Sequence, residues 1–250
     1  MKVAVILPAA GLGTRMGKSS AEKAGTSRKQ FMLLEGSPIL IHTVRKFVAC
    51  DRVGEIVVAV RAEDQVWVAE MLSQEFTGGR VRVVEGGNSR QESVENALRS
   101  LGPGYELVAV HDAVRPFIDL ETIDKVFDEA AATGAAIVGV AAVDTVKRVT
   151  RGTDHVKVRE TLPREKLVMA QTPQVFRYEI LKRAFAEALK DGFAATDESS
   201  MVERLDVEVS VVPGSDRNIK ITKPTDMDLA HLFLREELAR VNGTAKDPRE

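Results

Sequence analysis

Val3-Ala4-Val5-Ile6-Leu7-Pro8-Ala9-Ala10-Gly11-Leu12-Gly13-Thr14-Arg15-Met16-Gly17 opens the chain, an unbroken apolar run that leads into a glycine-rich turn carrying an arginine. Apolar residues without alternation predict a strand buried on both faces, as in a parallel sheet covered by helices. Glycines let backbone N–H groups approach and point at an anion. Arg15 adds a planar fork of donors suited to phosphate. Two familiar phosphate loops do not fit. The dinucleotide fingerprint needs a small residue three positions after its second glycine, where this chain has Met16. The P-loop needs a lysine where this chain has Gly17. The start therefore predicts a phosphorylated ligand held by neither of those devices, the alternative being a plain glycine-rich strand-to-helix turn with no ligand.

Outward from this stretch, strand and helix patterns alternate. Glu55–Val60, Val81–Val84, Leu107–Val110 and Ala135–Ala142 read as strands. Ser37-Pro38 reads as a helix start, with Leu40, Val44, Phe47 and Val48 on one face. Glu63–Phe76 reads as helical, and Ser89-Arg90-Gln91-Glu92 resembles a capping box before Val94, Ala97, Leu98 and Leu101. Leu120, Ile123, Phe127 and Ala130 mark a further helix. The alternation predicts an α/β fold with a mostly parallel sheet, whose ligands bind at the carboxyl ends of the strands. The turns at 8–17 and 86–89 and the pair His111-Asp112 all fall at such ends, which points to one shared site.

The rhythm breaks over 143–175. Val146–Val149 and Val156–Arg159, split by Arg151-Gly152-Thr153-Asp154, read as a β-hairpin with one polar face and too few apolar residues to stand alone, lying either on its own domain or against another subunit. Helix returns at Tyr178–Leu189; Val207–Val212 and Asn218–Thr222 read as short strands, and Pro224 opens a last helix to about Arg240. Residues 1–240 read as one domain and 241–250 as a disordered tail.

Lys and Arg number 35 against 37 Asp and Glu, a net charge of −2, which argues against nucleic acid as partner. No run is long and apolar enough to predict a membrane span. The one cysteine, Cys50, excludes an internal disulfide and fits a cytoplasmic protein. Among groups with chemistry, Lys29 stands where a polar segment turns apolar, well placed to reach a phosphate. Asp112, at a strand end, suits magnesium accompanying a nucleoside triphosphate, or pairs with Arg115 as a simple turn cap. His111 reads as structural. Thr196-Asp197 reads equally as a site cluster or a helix start, and Lys220 is a charge flanked by apolar residues.

Taken in order, Pro8-Ala9-Ala10-Gly11-Leu12-Gly13, Arg15-Met16, Lys29-Gln30, His111-Asp112-Ala113, Arg115-Pro116, Asp144-Thr145-Val146-Lys147, Thr172-Pro173-Gln174, Thr196-Asp197-Glu198 and Asn218-Ile219-Lys220 resemble the 2-C-methyl-D-erythritol 4-phosphate cytidylyltransferase family. The resemblance runs from about Lys2 to Leu238. The opening loop is shared by many nucleotidyltransferases, and the later motifs are the specific ones. It implies a Rossmann-like nucleotidyltransferase domain with a protruding β-arm, a homodimer, and transfer of CMP from CTP to methylerythritol phosphate with magnesium. On this resemblance Arg15 and Lys29 are catalytic, stabilising charge on the α-phosphate. Ala9, Ala10, Gly11, Gly13, Gly87 and Ser93 line the CTP site, and Asp112 stands by the metal. Ala113, Arg115, Thr145, Arg164, Thr172, Thr196 and Lys220 hold the methylerythritol phosphate, Thr145 and Arg164 serving the neighbouring subunit's site. The chain departs from the family in a longer gap between Arg15 and Lys29 (residues 17–28) and in Asn88, where Asp is common. The alternatives are a ribitol-5-phosphate cytidylyltransferase, a non-catalytic nucleotide-binding protein on the same fold, and a dehydrogenase, which Met16 disfavours.

Overall fold

The structure is a computed structural model that describes residues 1–11, 28–152 and 155–241. Gly13, Arg15, most of the longer gap before Lys29, and nearly all of the expected tail lie outside the described residues.

A seven-stranded sheet organises the chain. Inside it β1 (Val3–Pro8), next to the central strand, runs parallel to β4 (Val53–Val60) on one side and to β6 (Leu107–Val110) on the other. Beyond β4 lies β5 (Val81–Glu85), also parallel. Beyond β6 comes β10 (Val168–Arg177), antiparallel to β6 and to β7 (Ala135–Ala141), and β11 (Ser210–Pro213) closes that edge parallel to β7.

The absence of alternation in β1 has its cause here, because both faces are covered. Val3, Val5 and Leu7 enter one core with α1 (Ile39–Val48), α2 (Gln65–Glu75) and α4 (Leu120–Thr133). Ala4 and Ile6 enter the other, with α3 (Arg90–Arg99), α5 (Tyr178–Lys190) and α6 (Glu198–Glu203). A third cluster seats α7 (Pro224–Val241) through Ala230 and Leu234 on Leu34, Ile39, Phe117 and Ile221.

Half of the expected capping box at α3 forms: Ser89 Oγ accepts from Glu92 N–H at 3.0 Å, while Glu92 Oε2 reaches one residue past the cap and accepts from Asn88 N–H at 2.6 Å. Other expectations are corrected. Ser37-Pro38 is not a helix cap. It forms β3, paired with β2 (Leu33–Leu34), and α1 begins at Ile39 without a side-chain cap. Asn218–Thr222 is not a strand, since its backbone bonds the loop after β6 and not a neighbouring strand: Asn218 C=O accepts from the Arg115 side chain and Ile221 N–H donates to Val114 C=O. Within 143–175, only β8 (Lys147–Arg151) and β9 (Val156–Thr161) form the separate hairpin. Val168–Arg177 returns to the main sheet as β10. A proline inside a run argues against a central strand, but here the ladder to β7 skips from Ala170 to Gln174 and spares Pro173.

Candidate active site

The carboxyl ends of β1, β5 and β6 open on one cleft of about 880 Å³. β1 brings Ala9, Ala10 and Gly11; the β5–α3 turn brings Gly86, Gly87 and, from α3, Arg90 and Ser93; β6 brings Asp112 and Ala113. Lys29 reaches it from a short 3-10 turn, Lys29–Phe31, and Lys220 from a loop. Nine of the expected site residues therefore meet there: Ala9, Ala10, Gly11, Lys29, Gly87, Ser93, Asp112, Ala113 and Lys220.

Local bonding explains how each wall is held. Gln30 Nε2 donates to the carbonyls of Ala9 at 2.5 Å and Gly11 at 3.3 Å, tying the Lys29 segment to the first turn. On the opposite wall Ser93, 1% exposed, accepts from Gly87 N–H at 3.0 Å and donates to Ser89 C=O at 2.8 Å, so its hydroxyl shapes the turn. The turn has no room for side chains: a Cβ on Gly87 would stand 2.2 Å from Glu92 Cβ.

Asp112 is the electrostatic centre. Its carboxylate, 8% exposed, lies 2.9 Å from Lys220 Nζ, 3.2 Å from Arg115 Nε and 3.4 Å from Arg90 Nε. Burial alone would push its pKa up, but Lys220, Arg90 and Arg115 together hold it well below the usual carboxylate range. Asp112 pairs with Arg115, as the turn-cap reading expected, across the turn that Arg115 N–H closes on Asp112 C=O, and its side chain also lines the cleft. Beneath it runs a chain of hydrogen bonds. His111 Nε2 bonds Arg115 C=O at 3.0 Å, which requires the proton there. Nδ1 then accepts from Thr172 Oγ1 at 3.1 Å, and Thr172 Oγ1 accepts from Asp112 N–H at 3.0 Å. The ring is fully buried, and desolvation pushes His111 down to about 4, so it stays neutral.

Several expected contacts fall elsewhere. Thr172 is buried behind the cleft wall, its hydroxyl supporting Asp112. Arg115 stands behind Asp112, its Nη1 donating to Asn218 C=O at 2.7 Å. Thr196 is exposed ahead of α6, and the adjacent Asp197 is a helix cap, accepting from Ser200 N–H at 3.1 Å. Thr145 and Arg164 are exposed beside the hairpin and do not line this cleft; Arg164 Nη1 donates to Val143 C=O at 2.6 Å.

Two residues were missed by sequence reasoning. Arg90 opens α3 and bridges Asp112 to Glu198 Oε1, the latter at 2.7 Å. Glu198 is 1% exposed; burial raises its pKa and Arg90 opposes the rise. A signal existed, because a cation at a helix N-terminus opposes the macrodipole and implies an anionic partner.

No group of three or more His, Cys, Asp or Glu side chains is arranged for a metal among the described residues. The carboxylates lining the cleft are those of Glu63, Glu85 and Asp112, which form no such group, and Asp112 stands among the cations at its floor. That fits a hard cation taking most of its oxygens from a polyphosphate and water, as magnesium does.

A profile of the 2-C-methyl-D-erythritol 4-phosphate cytidylyltransferase family matches residues 3–236. The chain is 83% identical over 240 residues to the 2-C-methyl-D-erythritol 4-phosphate cytidylyltransferase of Solibacter usitatus, covering 96% of this chain and 98% of that one. It is 49% identical to the Acidobacterium capsulatum protein of the same name, covering 96% and 100%. Among solved structures, 4-diphosphocytidyl-2C-methyl-D-erythritol synthase from Anaerococcus prevotii superposes with a TM-score of 0.80 at 29% identity, covering 94% of this chain and 96% of that one. The Thermus thermophilus cytidylyltransferase gives 0.74 at 29%, covering 94% and 100%. With its cleft at the carboxyl ends of a mostly parallel sheet and this likeness along nearly all of its length, the chain belongs to the 2-C-methyl-D-erythritol 4-phosphate cytidylyltransferase family.

Proposed function

We propose that the protein transfers the cytidylyl group of CTP to 2-C-methyl-D-erythritol 4-phosphate, yielding 4-diphosphocytidyl-2-C-methyl-D-erythritol and pyrophosphate in non-mevalonate isoprenoid synthesis. The observation that carries this reading is the meeting of Lys29, Lys220 and Asp112 with the Ala9–Gly11 and Gly86–Gly87 turns in one cleft of a chain of this family. The family assignment favours methylerythritol phosphate over ribitol phosphate as acceptor.

The reaction needs no covalent enzyme intermediate. An acceptor phosphate oxygen attacks the α-phosphorus of CTP, the bond from that phosphorus to the bridging oxygen breaks, and its electron pair leaves on pyrophosphate. Positioning and charge stabilisation carry such a transfer. The turns at Ala9–Gly11 and Gly86–Gly87 hold the nucleotide by close backbone approach. Lys29 and Arg15 neutralise the charge that grows on the α-phosphate. Lys220, 39% exposed, is the most accessible of the three cations on Asp112 and turns to the acceptor phosphate, while Arg115 and Arg90 stay with the carboxylate. Asp112 would hold magnesium, which would supply charge shielding of the triphosphate.

We propose further that the protein is a homodimer joined through the arm. Val149, Val156 and Val158 lie exposed on one face of the β8–β9 hairpin, and Thr145 and Arg164 beside it find no place in their own cleft, which supports their serving the partner's site. No described helix is long and apolar enough to cross a membrane. Use of CTP supports a cytoplasmic location.

The test is pyrophosphate release with magnesium, each nucleoside triphosphate, and methylerythritol or ribitol phosphate. Turnover with CTP and methylerythritol phosphate is expected. Preference for ribitol phosphate would move the protein to another pathway, and CTP binding without turnover would make it a binding protein. Arg15→Ala and Lys29→Ala should each lower kcat by roughly 100-fold or more, with KM for CTP changing far less. If Lys23→Ala or Lys18→Ala is the damaging change instead, the catalytic lysine lies within the longer gap.

A further inference from the structure

Asp64 is 2% exposed, at the end of a short 3-10 turn, Ala62–Asp64, that follows β4. A carboxylate at that depth is costly unless it is paired. Two donors reach its Oδ1 from different elements: the Arg28 guanidinium and, at 3.1 Å, the indole Nε1 of Trp67 in α2. Arg28 lies 5.4 Å over the Phe31 ring, and Phe31 meets Trp67 edge-on at 4.6 Å. The ion pair is therefore enclosed by two aromatic rings, and the Arg28 side chain is itself only 12% exposed. Neither Asp64 nor Trp67 lines the cleft.

Lys29 follows Arg28 directly. On its other side Gln30 is tied to the carbonyls of Ala9 and Gly11. Phe31 N–H donates to Arg28 C=O at 2.9 Å and Met32 N–H to Lys29 C=O at 3.2 Å, closing one tight turn around the lysine. The backbone of Lys29 is thus pinned from both sides: by Gln30 to the nucleotide turn, and by Arg28 to a buried anion outside the cleft.

We infer that Asp64 is a positioning residue for Lys29. By anchoring Arg28 it sets the point from which the lysine reaches the α-phosphate, so it acts on the chemical step and not on the binding of CTP. The inference rests on the role given to Lys29 above. Trp67 is the one tryptophan of the chain, so the anchor carries its own fluorescent reporter.

Asp64→Asn keeps the volume and an acceptor for Trp67 while removing the buried charge that holds Arg28, leaving only the more distant, exposed Glu63 at 3.9 Å. It should lower kcat about tenfold, ~1.4 kcal/mol of barrier, with KM for CTP within about twofold. In a Lys29→Ala background it should cost nothing further, because a residue acting through the lysine has no lysine left to place. An unchanged kcat, or an equal loss with and without Lys29, overturns the inference. If Asp64→Asn does not fold, Trp67→Phe replaces it: a loss of kcat of about threefold at constant KM is expected, and an unchanged kcat overturns the anchor. Independently of turnover, CTP added to the wild-type protein should shift Trp67 emission. CTP binding seen by calorimetry with no emission change counts against the anchor. An emission change in a protein that releases no pyrophosphate supports the anchor and rejects the transferase reading.

Discussion

At the scale of single residues, the site is a problem in buried charge. Asp112 and Glu198 lie almost without solvent, and three cations between them hold the carboxylates, with Arg90 shared. His111 beneath them must stay neutral, since a proton on Nδ1 would end its acceptance from Thr172. Its folded pKa is pushed down to about 4 from 6.5 by burial. The unfolded chain therefore binds more protons between those values. The stability that follows is complete above about pH 6.5 and is lost as pH falls towards 4. Unfolding free energy from urea titrations should drop by about 2 kcal/mol between pH 7.5 and pH 5 on this account. His42, also lowered chiefly by burial, adds in the same direction. In His111→Gln the slope should flatten; an unchanged slope would assign the dependence to other groups. At this scale three cleft-lining charges were legible: Asp112 at the end of a predicted strand, Lys29 where a polar segment turns apolar, and Lys220 between apolar neighbours, although the strand expected around Lys220 does not form. Glu198 and Arg90 were not legible as a pair, because the partners stand 108 residues apart.

At the scale of elements, the β5–α3 turn decides the shape of the nucleotide wall. A Cβ on Gly86 would stand 2.8 Å from Ala10 Cβ, 2.9 Å from Ser93 Oγ and 3.2 Å from Val60 C=O. The glycine is required there by close approach between two turns. Gly86→Ala must push the Ala10 and Ser93 walls apart. It should cost about 1–3 kcal/mol of stability by overpacking, and raise KM for CTP severalfold with a smaller change in kcat. Thermal unfolding and steady-state kinetics read the two effects separately. β1 and α5 were readable because a local pattern, full burial or a 3.6-residue stripe, suffices to define them. β10 was not, because Pro173 breaks its run and only the skipped register with β7 makes room for it.

At the scale of the whole molecule, the hairpin β8–β9 stands on a sheet of its own with Val149 opposite Val158. Val158 is 61% exposed and Val156 57%, an apolar face that a second copy of the chain would cover. Val158→Asp places a charge on that face. It should convert a dimer to a monomer in light scattering, and turnover should fall with it if Thr145 and Arg164 serve the neighbouring cleft. Full turnover from a monomer would show that each chain completes its own site.

The local and periodic part could be read from the chain alone: the buried first strand, most of the helices, the α/β class, and the set of motifs that marks the family. These follow from near neighbours, through side-chain periodicity and the conformational freedom of glycine. Tertiary structure alone decided the antiparallel insertion of β10 between β6 and β7, the sharing of Arg90 by Asp112 and Glu198, and the burial of Arg28 on Asp64. It also decided which motif residues face the cleft and which, like Thr172 and Arg115, support it from behind. Each of these joins residues far apart in the chain. Such pairings are selected by packing and by the cost of leaving a buried charge alone, and no local pattern records them.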